Sequence, residues 1–176
     1  TLIPDDEVAA GQSVAKPSPS AKKAAAARTT QSLTHAPDAI IVYADGACSG
    51  NPGPAGVGVV IQDGKTRREL SLYLGEGTNN IAELTGVLEA ANAITEPTRP
   101  VRIHTDSKYA IGVLKQGWKA KANVELVARV RAALARLSDS DLIYVPGHAG
   151  VVLNERADAL AVQAVKERRS TGWITY

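Results

Sequence analysis

At 176 residues the chain suffices for one domain with a sizeable core and is too short for two comfortable ones. Its 44% apolar and 22% charged residues are the balance of an ordinary globular protein, and no run reaches the roughly 20 apolar residues of a membrane-spanning helix. A formal net charge of +2 excludes nucleic-acid binding by bulk charge alone, and the single cysteine, Cys48, excludes an internal disulfide framework.

Residues 1–37 stand apart from the rest. They hold no aromatic residue and carry the run Ala-Lys-Pro-Ser-Pro-Ser-Ala-Lys-Lys followed by four alanines. Such a composition buries too little apolar surface to offset the entropy of ordering it, and predicts a linker or tail with transient helix near 21–28. Residues 1–38 contain four basic and four acidic side chains, which argues against strong electrostatic binding by the tail. The acidic opening Asp5-Asp6-Glu7 lacks the basic-then-apolar order of a signal peptide, so a cytoplasmic protein is expected. Because the chain starts on Thr1 rather than Met, a connector to an upstream fused module is a further expectation for 1–37.

From Ala39 the pattern becomes dense. Ile40–Ala44 is β-branched and short, a strand ending at Asp45-Gly46. The loop Cys48–Ala55 is turn chemistry throughout. Gly56–Gln62 and Arg67–Leu74 read as strands joined by the Asp63-Gly64 turn, giving an antiparallel meander. Asn79 or Asn80 is placed to cap a helix running to about Ile94, with Ile81, Leu84, Leu88 and Ala91 on one stripe. Val101–Thr105 is a fourth strand, ending at Asp106-Ser107 where another helix begins, and Gly117 interrupts that helix. Asn123 starts the amphipathic segment Val124–Leu137, and Leu142–Val145 is a fifth strand. After the loop Pro146–Gly150, a last helix covers about Asn154 to Arg168, and 171–176 is a short C-terminal tail. The order βββαβααβα predicts an α/β domain over 38–170, a five-stranded mixed sheet flanked by helices.

Charge is distributed unevenly along this order. Lys108–Leu137 carries seven basic residues (Lys108, Lys115, Lys119, Lys121, Arg129, Arg131, Arg136) against Glu125 alone, a net +6 that leaves −4 for the remainder. A strip of this kind attracts phosphate backbones, and equally serves as a solvated helix face.

Two strands end alike, Ile-Val-Tyr-Ala-Asp45 and Val-Arg-Ile-His-Thr-Asp106. Carboxylates on neighbouring strand ends repel unless a cation lies between them, and hard oxygen ligands select Mg²⁺ or Mn²⁺ over zinc. Each aspartate alone also reads as a cap of the turn or helix after it. Glu83, in the first turn of its helix, is favoured there by the helix dipole without any function. Asp158 shares a helix face with Asn154 and is flanked by Ala157, Leu160 and Ala161, which puts it at the margin of the core. His148 sits in a glycine-flanked loop, although a lone loop histidine is usually only a surface residue.

Taken together the blocks are specific. Tyr43-Ala-Asp45-Gly46 through Asn51-Pro-Gly-Pro54, Thr78-Asn79-Asn80-Ile-Ala-Glu83-Leu84, His104-Thr-Asp106-Ser107-Lys-Tyr109, and Gly147-His148-Ala-Gly150 through Asn154-Glu-Arg-Ala-Asp158 resemble, in order, the motifs of type 1 ribonuclease H over about 39–169. The resemblance implies the ribonuclease H-like fold and hydrolysis of the RNA strand of an RNA–DNA hybrid. It implies that Asp45, Glu83, Asp106 and Asp158 hold two Mg²⁺ ions, with Mn²⁺ as a substitute, and that the products carry 5′-phosphate and 3′-hydroxyl ends. His148 would assist proton transfer or product release. Asn51, Asn79 and Asn80 would touch the hybrid's minor groove, where the 2′-hydroxyl distinguishes the strands, and Thr78 and Asn123 a DNA phosphate. Many bacterial members insert a basic handle after a Gly-Trp-Lys like Gly117-Trp118-Lys119. Here only Lys119-Ala-Lys121-Ala precedes Asn123, so the handle is absent and Lys115, Lys119 and Lys121 are expected to supply part of its phosphate contact. Trp118 is expected to be partly exposed beside the DNA strand, or else a core aromatic at the helix junction. A monomer suffices. The competing readings are a non-catalytic nucleic-acid-binding domain and a transposase- or integrase-type nuclease on the same fold.

Overall fold

The computed structural model describes residues 36–176, so the predicted tail over 1–37 lies almost wholly outside the described residues. Three strands come first, β1 (Ile40–Cys48), β2 (Gly53–Asp63) and β3 (Thr66–Gly77), hydrogen-bonded in antiparallel succession. Then follow α1 (Asn79–Asn92), β4 (Val101–Thr105), α2 (Lys108–Leu114), α3 (Val124–Ala135), β5 (Ser140–Tyr144), α4 (Val152–Glu167) and β6 (Gly172–Thr175). The sheet order is β5-β4-β1-β2-β3-β6, with β4 parallel to both β1 and β5 and the other pairs antiparallel.

The sheet therefore has six strands rather than the five expected. The sixth, Gly172–Thr175, falls in the stretch read from sequence as a tail. Four residues are too few to show a period, and the strand exists by pairing with the edge of β3, where Trp173 sits opposite Leu70. The Arg68 guanidinium, 4.8 Å from the Trp173 ring, covers that edge.

Strand alternation divides the sheet into two faces. Val42, Ala44, Val57, Val59, Ile61 and Leu70 point into the main core, against Leu84, Val87 and Leu88 of α1 and Val127 and Val130 of α3. Each such side chain contributes about 1.5–3 kcal/mol by leaving water. The other face carries Tyr43 and Val60 and meets Ala157 and Leu160 of α4. There α4 lies directly on β2: a Cβ on Gly58 would overlap the Ala157 carbonyl oxygen, and one on Gly56 would stand 2.6 Å from the Ala161 carbonyl oxygen. Two glycines on one strand face thus set the height of the last helix above the sheet.

Helix starts follow side-chain chemistry. Thr78, not Asn79 or Asn80, caps α1: its hydroxyl oxygen accepts from the Ile81 N–H at 3.2 Å. Ser107 caps α2 in the same way, accepting from the Ala110 N–H at 3.0 Å. Between α2 and α3 only residues 115–123 intervene and no helix forms there, in keeping with a missing handle. Among the described residues no helix is long and apolar enough to cross a membrane.

Candidate active site

Asp45, Glu83 and Asp106 are separated by 38 and 23 positions in the chain, and the sheet order brings them together. Because β4 runs parallel to β1, with Tyr43 opposite His104, the residues two beyond this pair come side by side. Those residues are Asp45 and Asp106. Asp45 is not at the strand's end as expected, since β1 continues to Cys48 along β2, but it lies just past the last residue paired with β4. Glu83 arrives from α1. It occupies the fifth helical position, in the second turn rather than the first, where the helix dipole no longer explains it.

One carboxylate oxygen from each of Asp45, Glu83 and Asp106 lies within 4.8 Å of the others. Asp158, on α4, is not one of those three, but it lies near enough for its charge to raise the pKa of Asp45. Charge links Asp45 to all the rest. Burial, then the charges of Asp106 and Asp158, push its pKa from the ordinary 3.8 to about 8, although the Gly46 N–H donates to its Oδ1 at 2.8 Å. Burial first, and then Asp45 and Asp106, hold Glu83 well above the usual glutamate range.

This cluster fits a divalent cation. Glu83 Oε2 is buried with no hydrogen-bond partner among the described residues, and every donor is a hard carboxylate oxygen. Without a cation, bringing these charges together out of water is unfavourable, and a divalent ion removes both penalties.

Around the cluster the remaining predicted residues take distinct places. Asn51, in the β1–β2 loop, accepts through Oδ1 from the Asn79 N–H at 3.2 Å, which ties that loop to the start of α1. Asn79 and Asn80 are exposed beside it. Asn123, held in a left-handed conformation at φ 58°, faces Ile81 and Thr85 across an open groove that also contains Arg129. His148 is exposed on the Pro146–Gly150 loop, next to Gly147, where a Cβ would come within 2.8 Å of Asp106 Oδ2. Gly147 had no local signal in the sequence; it matters because the loop passes directly over Asp106.

The basic strip divides. Lys115 is drawn to Asp141 at 2.6 Å and to the Leu142 carbonyl at 2.9 Å, in an ion pair whose side chains are both about half exposed. Arg131 donates to the Val113 carbonyl, and Arg136 to the Ala91 and Ile94 carbonyls at the end of α1. Lys119, Lys121 and Arg129 form no ion pair among the described residues, and Lys108 stands 5.9 Å from the Tyr144 ring centre. Trp118 is half-exposed, with its ring lying on α2 where Gly112 has no side chain, and its backbone N–H donates to the Gly112 carbonyl at 3.0 Å. The partial exposure expected of Trp118 is present, and the ring is not among the core residues.

A family model described as RNase H matches residues 37–166. A protein named Ribonuclease H from Saccharopolyspora erythraea is 42% identical over 151 residues, covering 77% of this chain and 96% of that protein. Among solved structures, RNase H1 of the halophilic archaeon Halobacterium salinarum is similar at TM-score 0.63 and 31% identity, over 73% of this chain and 98% of that one. LC11-RNase H1, solved in complex with an RNA/DNA hybrid, is similar at TM-score 0.64 and 32% identity, over 73% and 98%.

Proposed function

The chain belongs to the ribonuclease H family, and from that premise we propose that it hydrolyses the RNA strand of RNA–DNA hybrids by two-metal catalysis at Asp45, Glu83, Asp106 and Asp158. The observation that carries this reading is the carboxylate cluster around buried Asp45, in which one oxygen from each of three side chains falls within 4.8 Å and the charge of a fourth, Asp158, acts on Asp45. The donor set suits Mg²⁺, with Mn²⁺ as a substitute, and two such ions when bound would activate the attacking water and stabilise the leaving 3′-oxygen. The products would carry 5′-phosphate and 3′-hydroxyl ends.

Each residue then has a task. Asp45, whose pKa is raised by Asp106 and Asp158 and which raises that of Glu83, would hold the metal together with Glu83, Asp106 and Asp158. His148, on the loop beside Asp106, is placed to move a proton at the leaving group or to help product depart. Asn51, Asn79 and Asn80, held in one surface by the Asn51–Asn79 bond, read the minor groove and the 2′-hydroxyl. Thr78 and Asn123 flank the α1–α3 groove that would take a DNA phosphate, with Arg129 nearby. Lys119 and Lys121 supply charge beyond Trp118 in place of a handle. One copy of the chain contains the whole site, so a monomer suffices. With Cys48 alone there is no internal disulfide to preserve, which suits the reducing cytoplasm.

An end-labelled RNA–DNA hybrid, run beside single-stranded RNA, double-stranded RNA and double-stranded DNA, tests the assignment. Internal cuts confined to the RNA strand of the hybrid are expected, lost with chelator and with Asp106→Asn. Binding without cutting in either Mg²⁺ or Mn²⁺ would favour a scaffold domain, and cutting of duplex DNA a transposase-type nuclease. Trp118→Ala is expected to fold and to weaken hybrid binding about fivefold to tenfold, the loss of about 1 kcal/mol of ring contact. A variant that unfolds with unchanged affinity in its folded fraction would make Trp118 a core residue instead.

A further inference from the structure

The face of the sheet under α4 holds an ion pair that the metal site does not use. Glu69 lies on β3 with its neighbour Leu70 in the main core, so its own side chain points to the α4 side, where it is 2% exposed. A carboxylate that deep must be paired. Arg156, in the first half of α4, donates to it with a fork: Nε to Oε1 at 3.0 Å and Oε2 at 3.1 Å, and Nη2 to Oε2 at 2.7 Å. Arg67 adds an ion-pair contact at 3.2 Å to Oε1. Tyr176 closes the arrangement: its backbone is bonded to that of Arg67 in both directions, and the Arg67 guanidinium lies 5.3 Å from its ring centre.

One turn further along α4, the Ser71 hydroxyl, also buried, donates to the Leu160 carbonyl at 2.8 Å. Asp158 lies midway between Arg156 and Leu160, the two points at which β3 holds the helix. Gly58, under Ala157, and Gly56, under Ala161, set the helix's height over the sheet, and these two latches add directional polar contacts on either side of Asp158. Arg156 and Asp158 are two positions apart and so point to different sides of the helix, which means that Arg156 acts on Asp158 through the backbone.

We propose that the Glu69–Arg156 pair is a positioning clamp that sets where Asp158 stands against Asp45, and through it the affinity of the carboxylate cluster for divalent metal. This rests on the four-carboxylate reading above. The effect is that of an outer partner that aims a ligand without touching the ion. A planar, five-donor guanidinium is needed because a single ammonium would fix the distance and not the orientation.

Mn²⁺ titration of the full chain by calorimetry, without hybrid and well below each variant's melting temperature, tests this, together with the Mg²⁺ concentration for half-maximal cleavage and the KM for hybrid. Asp158→Asn sets the reference for losing the fourth carboxylate. Glu69→Gln and Arg156→Lys are each expected to weaken Mn²⁺ binding about tenfold and to raise the Mg²⁺ requirement by a similar factor, with the KM for hybrid within about twofold of wild type. Should Glu69→Gln fail to fold, Arg156→Lys decides the question, because it keeps the buried charge compensated at a side chain that is 41% exposed. If Asp158→Asn weakens Mn²⁺ binding while both clamp variants bind as wild type and only melt lower, the pair is purely structural and the proposal is overturned. If Asp158→Asn itself binds as wild type, the four-carboxylate reading fails, and the clamp with it.

Discussion

Asp45→Asn is expected to abolish hybrid cleavage and, in metal-free buffer at pH 8, to raise the melting temperature of the chain. The two effects have one origin. Asp45 is buried among Glu83, Asp106 and Asp158, and burial followed by the charges of Asp106 and Asp158 carries its pKa to about 8. The unfolded chain releases that proton near the ordinary 3.8, whereas the folded chain keeps it until about pH 8. The group's contribution to stability is therefore intact below about pH 4 and is lost as pH rises through the interval to about 8. An amide at position 45 has no charge to bury. Its advantage over wild type should be largest at pH 8, on the order of several kcal/mol, and should vanish toward pH 4. Saturating Mg²⁺ should reverse the order, because it binds the folded wild type and not the variant. Cleavage should fall by roughly a thousandfold or more, the equivalent of about 4 kcal/mol of lost transition-state stabilisation. Melting curves of both proteins across pH 4–8, with chelator and with Mg²⁺, check the signs. A wild type that melts above Asp45→Asn at pH 8 in chelator would show that the cluster is not strained by its own charge.

Gly58→Ala is expected to cost about 3 kcal/mol or more and to inactivate whatever still folds. The added methyl would overlap the Ala157 carbonyl oxygen and stand 2.8 Å from the Ala161 nitrogen and 2.9 Å from the Ala157 carbonyl carbon, all of them backbone atoms with no rotamer to yield. Either the chain unfolds or α4 lifts from β2, and Asp158 rides on that helix. Gly64→Ala is the control. It lies in the Asp63-Gly64 turn at φ 56° with open space around it, so it should cost only about 1 kcal/mol of left-handed strain and leave cleavage intact. Denaturant unfolding and hybrid cleavage of the two variants separate the cases. Equal stability losses with full activity in both would mean that α4 is not seated through Gly58.

The difference between these two glycines shows where sequence reading stops. Asp63-Gly64 announces a hairpin because turn chemistry is local, and the turn lies where it was expected. Gly58 looks like a weak point in a strand, and nothing within ten residues of it says that a helix a hundred positions later will rest there. The same holds for Glu69 and Arg156, which lie on different elements far apart in the chain and whose pairing no local pattern announces. Trp118 offered two opposed readings, and the choice depended on Gly112, whose missing side chain lets the ring lie on the helix while half of it stays in water.

By itself the sequence determined the elements and the chemical identity of the site. β-branched runs, turn residues and apolar stripes act over a few neighbouring residues, so β4 appears at Val101–Thr105 as expected and the other predicted elements shift by only a few residues at their ends. The four acidic motifs, in family order, pointed to the activity before any contact was known. Only the tertiary structure decided the rest: that β4 lies beside β1, that Glu83 turns inward from a second helical turn, that three of the seven strip cations are spent on backbone or Asp141, and that a sixth strand closes the β3 edge. Each of these is a contact between residues far apart in the chain. Its energy depends on distance and burial, and neither exists until the sheet has assembled.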